Sequence, residues 1–300
     1  MRRTSIVTAA VSLAVLLVGC GSSSSTPEAK TASRHDVGVA VPAELRSQGS
    51  IKVGIACDYP PFGYTGIDGK NAGYAAEVAR ALADYAFGDK SKVSFTCVTP
   101  QNRIPYLQSK KIDLIVSTLG YTAERDKTID YSVPYFTSGA KLLVAKDSAV
   151  TGWDSITGKP VITKQGTTSS TFLDNCYPTS KQLLLEGTSD AVRALKDGRG
   201  AAFVEDSTLL LGLTLKDDGL KVVGVDKAVT PWGLGIRQGD TATKKWVDAV
   251  LADLQKNDGL WGLFKQTVSN KEAVDAFAKN MPRPGQNITY SDEDTLARCS

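Results

Sequence analysis

Histidine is almost missing from this chain: His35 stands alone in 300 residues. A histidine-built zinc site is thereby excluded, and a Ser-His or Cys-His catalytic engine would have to run on that one ring. Charge of one sign is missing too. Lys and Arg number 35 against 32 Asp and Glu, a net of +3, and no run of five like charges occurs. Nucleic-acid binders gather Lys and Arg on one face or stripe, so that class is excluded. No apolar run is long enough to cross a bilayer. The most apolar stretch, Ile6 to Val18, would rise only about 20 Å as a helix, against ~30 Å of hydrocarbon. What remains is 42% hydrophobic and 22% charged, enough to bury a real core, in a length that favours two lobes.

The N-terminus reads as an address and an anchor. Arg2 and Arg3 form a positive region ahead of the apolar stretch, which ends in Leu17-Val18-Gly19-Cys20. That ending resembles a bacterial lipobox, which implies a signal peptide over residues 1–19 and a diacylglyceryl group on the Cys20 sulfur. Residues 20–47 then read as a tether: no aromatic residue, an opening Ser22-Ser23-Ser24-Ser25-Thr26-Pro27, and no apolar periodicity. About 25 flexible residues span roughly 25–30 Å, enough to float a lobe off a membrane. His35 falls in this tether, so no catalytic role is expected of it.

From residue 51 the chain alternates strand and helix. Ile51 to Ala56 reads as a strand, stopped by a loop at Cys57-Asp58-Tyr59-Pro60-Pro61-Phe62, since paired prolines end both ladder and helix. Tyr74, Val78, Ala81, Leu82 and Tyr85 lie on one helical face. Val93–Val98 and Ile112–Val116 read as strands around a helix with Pro105 in its first turn. The second half repeats the pattern, with strands at Val161–Thr163, Leu183–Leu185 and Ala201–Val204, each followed by a helix. Two such sets predict an α/β protein of two lobes, each with a mainly parallel sheet flanked by helices. Ligands in such sheets sit at the carboxyl ends of strands.

Polar groups gather at those ends. Ser117, Thr118, Gly120 and Arg125 follow one strand, and the planar fork of an arginine suits a carboxylate. Lys164 and Gly166-Thr167-Thr168-Ser169 open a helix after another strand, an arrangement suited to an anion. Glu205 and Asp206 follow Val204 and suit an ammonium. Taken singly, Arg125 suits a surface pair, Thr167 a helix cap and Asp206 a cap of the next helix. Taken jointly, carboxylate and ammonium receptors at strand ends of two lobes describe an α-amino acid.

Six stretches carry a family resemblance over residues 50–265: Asp58-Tyr59-Pro60-Pro61-Phe62; Gly73-Tyr74 with its helix; Ile104-Pro105-Tyr106-Leu107 to Asp113; Thr122-Ala123-Glu124-Arg125 followed by Ile129 to Tyr135; Gly166 to Ser169; and Leu195 to Asp206. The chain resembles the extracellular amino-acid-binding proteins of ATP-driven importers, the family 3 solute-binding proteins. The resemblance implies a type II, two-lobed periplasmic-binding-protein-like fold, with lobe one at 48–140 and 236–270, lobe two at 141–235, and hinge strands at Lys141–Ala145 and Gly233–Ile236. It implies that Arg125 and Thr168 take the α-carboxylate, that Asp206 takes the ammonium, and that Tyr59 or Phe62 covers the apolar stem. Ser117, Thr118 and Gly120 match ligand-bonding positions. Many members carry an acidic residue where Ala75 and Ala201 stand here, and residues 271–300 form an extension matching nothing in the family.

Four cysteines remain beside Cys20, and four allow three pairings. Strands that lie side by side in the implied topology favour Cys57–Cys97, leaving Cys176–Cys299. Lys164 donates, while Asp58 and Glu205 accept, so an amide side chain fits best: glutamine or asparagine first, glutamate or aspartate second, basic amino acids third. The implied partners are the permease of an ABC importer and, through the lipid anchor, a membrane; the implied localisation is extracytoplasmic. No metal or cofactor is implied. A dehydratase-type enzyme on the same fold, with Glu205 as acid, is the alternative, set against an intact set of amino-acid receptors.

Overall fold

A computed structural model describes residues 35–268, 270–291 and 294–299. Cys20 and residues 1–34 lie outside them, so the signal peptide, the lipid anchor and the first part of the expected tether are not described. No helix among the described residues is long and apolar enough to cross a membrane.

Two five-stranded sheets carry the fold. The first runs in the order Val93–Cys97, Ile51–Ile55, Leu114–Ile115, Gly235–Arg237, Ile129–Tyr131. Its first three strands are parallel, and Gly235–Arg237 returns antiparallel to both neighbours. The second runs Gln182–Leu185, Val161–Lys164, Phe203–Asp206, Phe136–Ala145, Leu220–Trp232, parallel over the first three and antiparallel thereafter. This is the type II two-lobed arrangement: residues 136–232 build one lobe, and the chain returns to complete the other.

Local chemistry sets the elements. The helix Tyr74–Phe87 buries Tyr74, Val78, Leu82 and Tyr85 on one face and stops where Gly88 takes φ 67°. Thr241–Lys256 and Gly259–Thr267 bury Trp246, Val250, Leu260 and Phe264 and belong with lobe one. Where the chain crosses between lobes, Phe136 and Trp232 face each other in register and stack at 4.8 Å. Phe62, Phe264 and Phe277 close around that stack.

Four expectations are corrected. The crossings are residues 132–135 and 233–234, outside both sheets; Lys141–Ala145 is the far end of a continuous lobe-two strand rather than a hinge. The tether does not reach residue 47: Val37 and Val41 pack against the core, and the helix Ala43–Gln48 buries Leu45 and lets Gln48 donate to the buried Asp113 carboxylate at 2.7 Å. His35 stacks on Tyr85 at 4.2 Å instead of lying in free chain. Asp58–Tyr59 is a short strand, paired with Gly63–Thr65 and through it with Asn71–Ala72, and it stops at Pro60, which has no N–H to give the ladder.

Both cysteine pairs are bonded, Cys57–Cys97 and Cys176–Cys299. Cys97 ends the strand beside Ile51–Ile55, and Cys57 lies two residues past that strand. The first bond closes a loop of 40 residues, worth about 4 kcal/mol by the chain-entropy relation. Replacing both Cys57 and Cys97 by serine should lower the urea-derived stability of lobe one by about that amount; a midpoint unchanged from the parent protein would contradict it.

Candidate functional site

The carboxyl ends of both sheets meet at one cavity. From lobe one it is walled by Asp58, Tyr59, Ser117, Thr118, Gly120 and Arg125; from lobe two by Lys164, Thr167, Thr168, Glu205 and Asp206. Eleven of the twelve residues singled out from the sequence therefore converge. Phe62 does not. It is 1% exposed inside the aromatic cluster at the crossing, 6.1 Å from the Tyr59 ring, so Tyr59 is the aromatic wall of the cavity.

Arg125 spans the cleft. It follows Thr122, whose side chain caps its short helix by accepting from the Arg125 N–H at 3.1 Å. The guanidinium Nη1 donates to the Gly120 carbonyl at 2.7 Å, and Nη2 to the Gly166 carbonyl of the other lobe at 2.9 Å. These use two of the five N–H donors an arginine carries. The lobes come this close because position 120 is glycine: a Cβ there would stand 2.7 Å from Thr230 Oγ1. Two residues earlier, Thr118 holds φ 44°, a left-handed conformation rare for a branched side chain and typical of functional loops.

A second arginine lines the cavity that the sequence reading passed over. Arg103 is 4% exposed, its Nη1 donates to the Ser117 carbonyl at 2.6 Å, and its Nε has no partner. Burial, then the nearby Arg125 charge, lowers its pKa to about 9, which leaves it a cation at neutral pH. It sits in the first turn of a six-residue helix, one position before Ile104 and Pro105. Nothing in the apolar periodicity marks it; its place two residues before Pro105, six past the strand end at Cys97, is the only signal.

The acids opposite are arranged in layers. Asp206 accepts from the Tyr59 hydroxyl at 3.1 Å, and that hydroxyl also meets Thr208 Oγ1 at 3.0 Å. Both Glu205 and Asp206 lie inside the strand Phe203–Asp206 rather than after it, paired with Lys141 and Ala140. Glu205 is 2% exposed and its Oε2 has no partner. Burial, then the adjacent Asp206 carboxylate, raises the Glu205 pKa; burial also raises that of Asp206, opposed by the Tyr59 hydroxyl and the Arg103 charge.

Lys164 and Thr167 also make contacts within the protein. Lys164 Nζ donates to both Asp58 oxygens at 3.3 and 3.0 Å and to Thr188 Oγ1 at 3.1 Å, while the Thr188 N–H reaches Asp58 Oδ2 at 2.8 Å. Three donors on an ammonium meet three acceptors. Lysine and aspartate thus pair across the cleft, and both line the cavity. Burial alone would raise the Asp58 pKa, but the Lys164 charge and the Thr188 donors outweigh it and the net shift is downward. Thr167 caps the helix Thr168–Cys176, accepting from Ser170 N–H and donating to the Lys164 carbonyl. Thr168 opens that helix with its side chain at the cavity.

The sequence pattern of the bacterial extracellular solute-binding proteins, family 3, matches residues 51–267. The chain belongs to that family. It is 31% identical over 262 residues to a glutamine-binding protein of an ABC transporter from Bacillus subtilis, covering 86% of this chain and 94% of that one. It is 28% identical over 267 residues to an L-glutamate/L-aspartate-binding protein from Pseudomonas aeruginosa, covering 85% of each. Among solved structures, a solute receptor for L-cysteine from Neisseria gonorrhoeae superposes with a TM-score of 0.74 at 28% identity, over 77% of this chain and 97% of that one. These relatives are transport receptors, and this chain is a solute-binding receptor rather than an enzyme, which retires the dehydratase alternative for Glu205.

The raised carboxyl pKa values carry a stability signature. A group whose folded pKa lies above its unfolded value holds a proton longer in the folded state, so its stabilisation is present at low pH and is lost as pH rises through the folded value. Asp58 works in the opposite sense, and its contribution is lost only on acidification below the ordinary carboxylate range. Between about pH 5 and pH 8, without added amino acid, the urea midpoint should therefore fall as pH rises, and Glu205→Gln should flatten that fall. A slope identical in parent and variant would mean that Glu205 ionises as freely as in water.

Proposed function

We propose that this chain is a lipid-anchored extracytoplasmic receptor that closes two lobes on a polar α-amino acid and delivers it to the permease of an ABC importer. The observation that carries the reading is the opposition across one cavity of Arg125, from lobe one, and Asp206, from lobe two. An α-amino acid presents a carboxylate and an ammonium on one carbon, and these two receptors match it end to end. In this reading Arg125 and Thr168 take the carboxylate, with Ser117, Thr118 and Gly120 supplying bonds at the strand end. Asp206, steadied by the Tyr59 hydroxyl, takes the ammonium, and the Tyr59 ring covers the stem. Contacts made only when both lobes engage are the ones that favour closure.

Arg103 and Glu205 are the groups left to meet a side chain. Arg103 Nε is a donor. A Glu205 that keeps its proton presents one O–H donor and one carbonyl acceptor. An amide has the complementary pair, so glutamine or asparagine ranks first. A second carboxylate would set negative charge beside Asp206 and ranks next; a basic side chain would face Arg103 and ranks last. The similarity to a glutamine-binding protein and to a glutamate/aspartate-binding protein supports the same order.

Titration of refolded protein with the twenty amino acids, read by thermal shift, should give its largest stabilisation with L-glutamine or L-asparagine. In calorimetry, Arg125→Ala should then weaken binding by roughly 10²–10³-fold, because a buried carboxylate loses its partner, and Arg125→Lys should not restore it. Stabilisation by arginine or lysine alone would overturn the ranking; a loss under tenfold would overturn the role of Arg125.

The anchor rests on Leu17-Val18-Gly19-Cys20 and the serine-rich segment behind it. Two acyl chains hold a protein to a bilayer where one holds it only marginally. Cys20→Ser should move the protein from the membrane fraction to the soluble one on fractionation; a variant that stays with membranes would rule the lipobox out.

A further inference from the structure

The family pattern stops at residue 267, yet the chain beyond it is built into the molecule. Phe277 joins the aromatic cluster at the crossing, and Asn280 exchanges two bonds with Thr137, its Nδ2 donating at 2.8 Å and its carbonyl accepting at 3.3 Å. Tyr290 then lands on lobe one. Its ring stacks on Tyr121 at 4.6 Å and meets Tyr131 at 5.6 Å, and its hydroxyl donates to the Ser132 carbonyl at 2.5 Å. It sits against the second crossing as well, where a Cβ on Gly233 would overlap that hydroxyl.

The far end of the same segment is on lobe two. Cys299 is bonded to Cys176 at the end of the helix Thr168–Cys176, Leu296 accepts from Asn175 Nδ2 at 3.1 Å, and the Cys299 carbonyl accepts from Lys227 Nζ at 3.2 Å. Between these two seats lies a second cavity, on the outer side of Arg125. Tyr121, Arg125 and Gly166 line it from the two lobes, and Thr295 and Leu296 from the tail. The tail therefore covers the edge of the cleft where Arg125 bridges to Gly166.

A line of contacts leads from the tail into the site. Tyr290 holds Tyr121 and Tyr131; the Tyr131 hydroxyl donates to the Gly120 carbonyl at 3.1 Å; and that carbonyl accepts Arg125 Nη1. We propose that Tyr290 is a positioning residue for the Arg125 receptor, and that the Cys176–Cys299 bond moors the tail across the cleft so that it holds the two lobes toward each other. This rests on the reading of the chain as a closing amino-acid receptor. Opening separates Arg125 from Gly166, and the nine residues from Tyr290 to Cys299 reach at most about 31 Å. Widening the gap beyond that reach requires Tyr290 to give up its stacked seat. Because the other end is covalently held, reseating is intramolecular and is favoured by a high effective concentration.

Two variants test this separately: Cys176→Ser with Cys299→Ser, which cuts the mooring, and Tyr290→Leu, which empties the seat with the disulfide intact. Small-angle X-ray scattering without added amino acid should show a larger radius of gyration for both variants than for the parent protein, and Tyr290→Phe, which keeps the ring, should stay close to the parent. Stopped-flow release of L-glutamine and of L-glutamate should be about fivefold faster in Tyr290→Leu, the low end of ordinary coupling between sites. A radius of gyration unchanged in both variants overturns the proposal. If the parent binds neither amino acid, the ligand assignment fails while the scattering still decides the clamp.

Discussion

The stack of Phe136 on Trp232 is the constraint around which the molecule is arranged. The chain enters lobe two at the first of these residues and leaves it at the second, so fixing them fixes both crossings at once. Phe62 closes the stack edge-on, and the short strand just before it carries Asp58 and Tyr59. Gly120 bridges to Trp232, and the Tyr121 N–H donates to the Pro231 carbonyl at 2.8 Å, so the loop bearing Arg125 is registered against the same indole. One aromatic knot thus sets where the lobe-one receptors stand relative to the lobe-two acids. Truncating a ring of this size in a core costs about 3–5 kcal/mol, and here the loss would loosen the crossings and the site together.

The cleft is balanced by charge as much as by shape. Arg103, Arg125 and Lys164 stand against Asp58, Glu205 and Asp206. An ion pair such as Asp58 with Lys164 contributes little net stability once desolvation is counted, but it is geometrically exacting. Its value is registration: Lys164 finds three acceptors only when Asp58 of the opposite lobe arrives at Thr188. The unmatched atoms, Arg103 Nε and Glu205 Oε2, are the polar capacity that the protein does not use on itself.

How much of this could be read in advance depended on the physics behind each feature. Apolar periodicity gave the parallel strands and the helix Tyr74–Phe87, because burial of one face is written locally. The strand-end rule gave Arg125, Thr168 and Asp206, because it depends only on where strands stop. Arg103 escaped because its burial is decided by packing against residues far away in sequence. Lys164 reached the cavity as expected, and Phe62 did not, because its ring is drawn into the aromatic cluster at the crossing by partners far away in sequence. The seat of Leu45, Val37 and Val41 was missed for a related reason, since a polar, serine-rich run hid three apolar residues spaced four apart.

The order of the two lobes along the chain has a consequence for biogenesis. Lobe two is one uninterrupted stretch, while the sheet of lobe one needs Gly235–Arg237 between Leu114–Ile115 and Ile129–Tyr131. A chain that emerges N-terminus first can pair Cys57 with Cys97 early, across 40 residues. Cys176 has no such neighbour; its partner lies 123 residues further on, at the very end of the described chain. During export it is an unpaired thiol through nearly half of the polypeptide's emergence, beside an already oxidisable pair. Contacts this distant in sequence form slowly, so the last covalent bond of the molecule, and the stage most open to mispairing, is the one that fastens the tail.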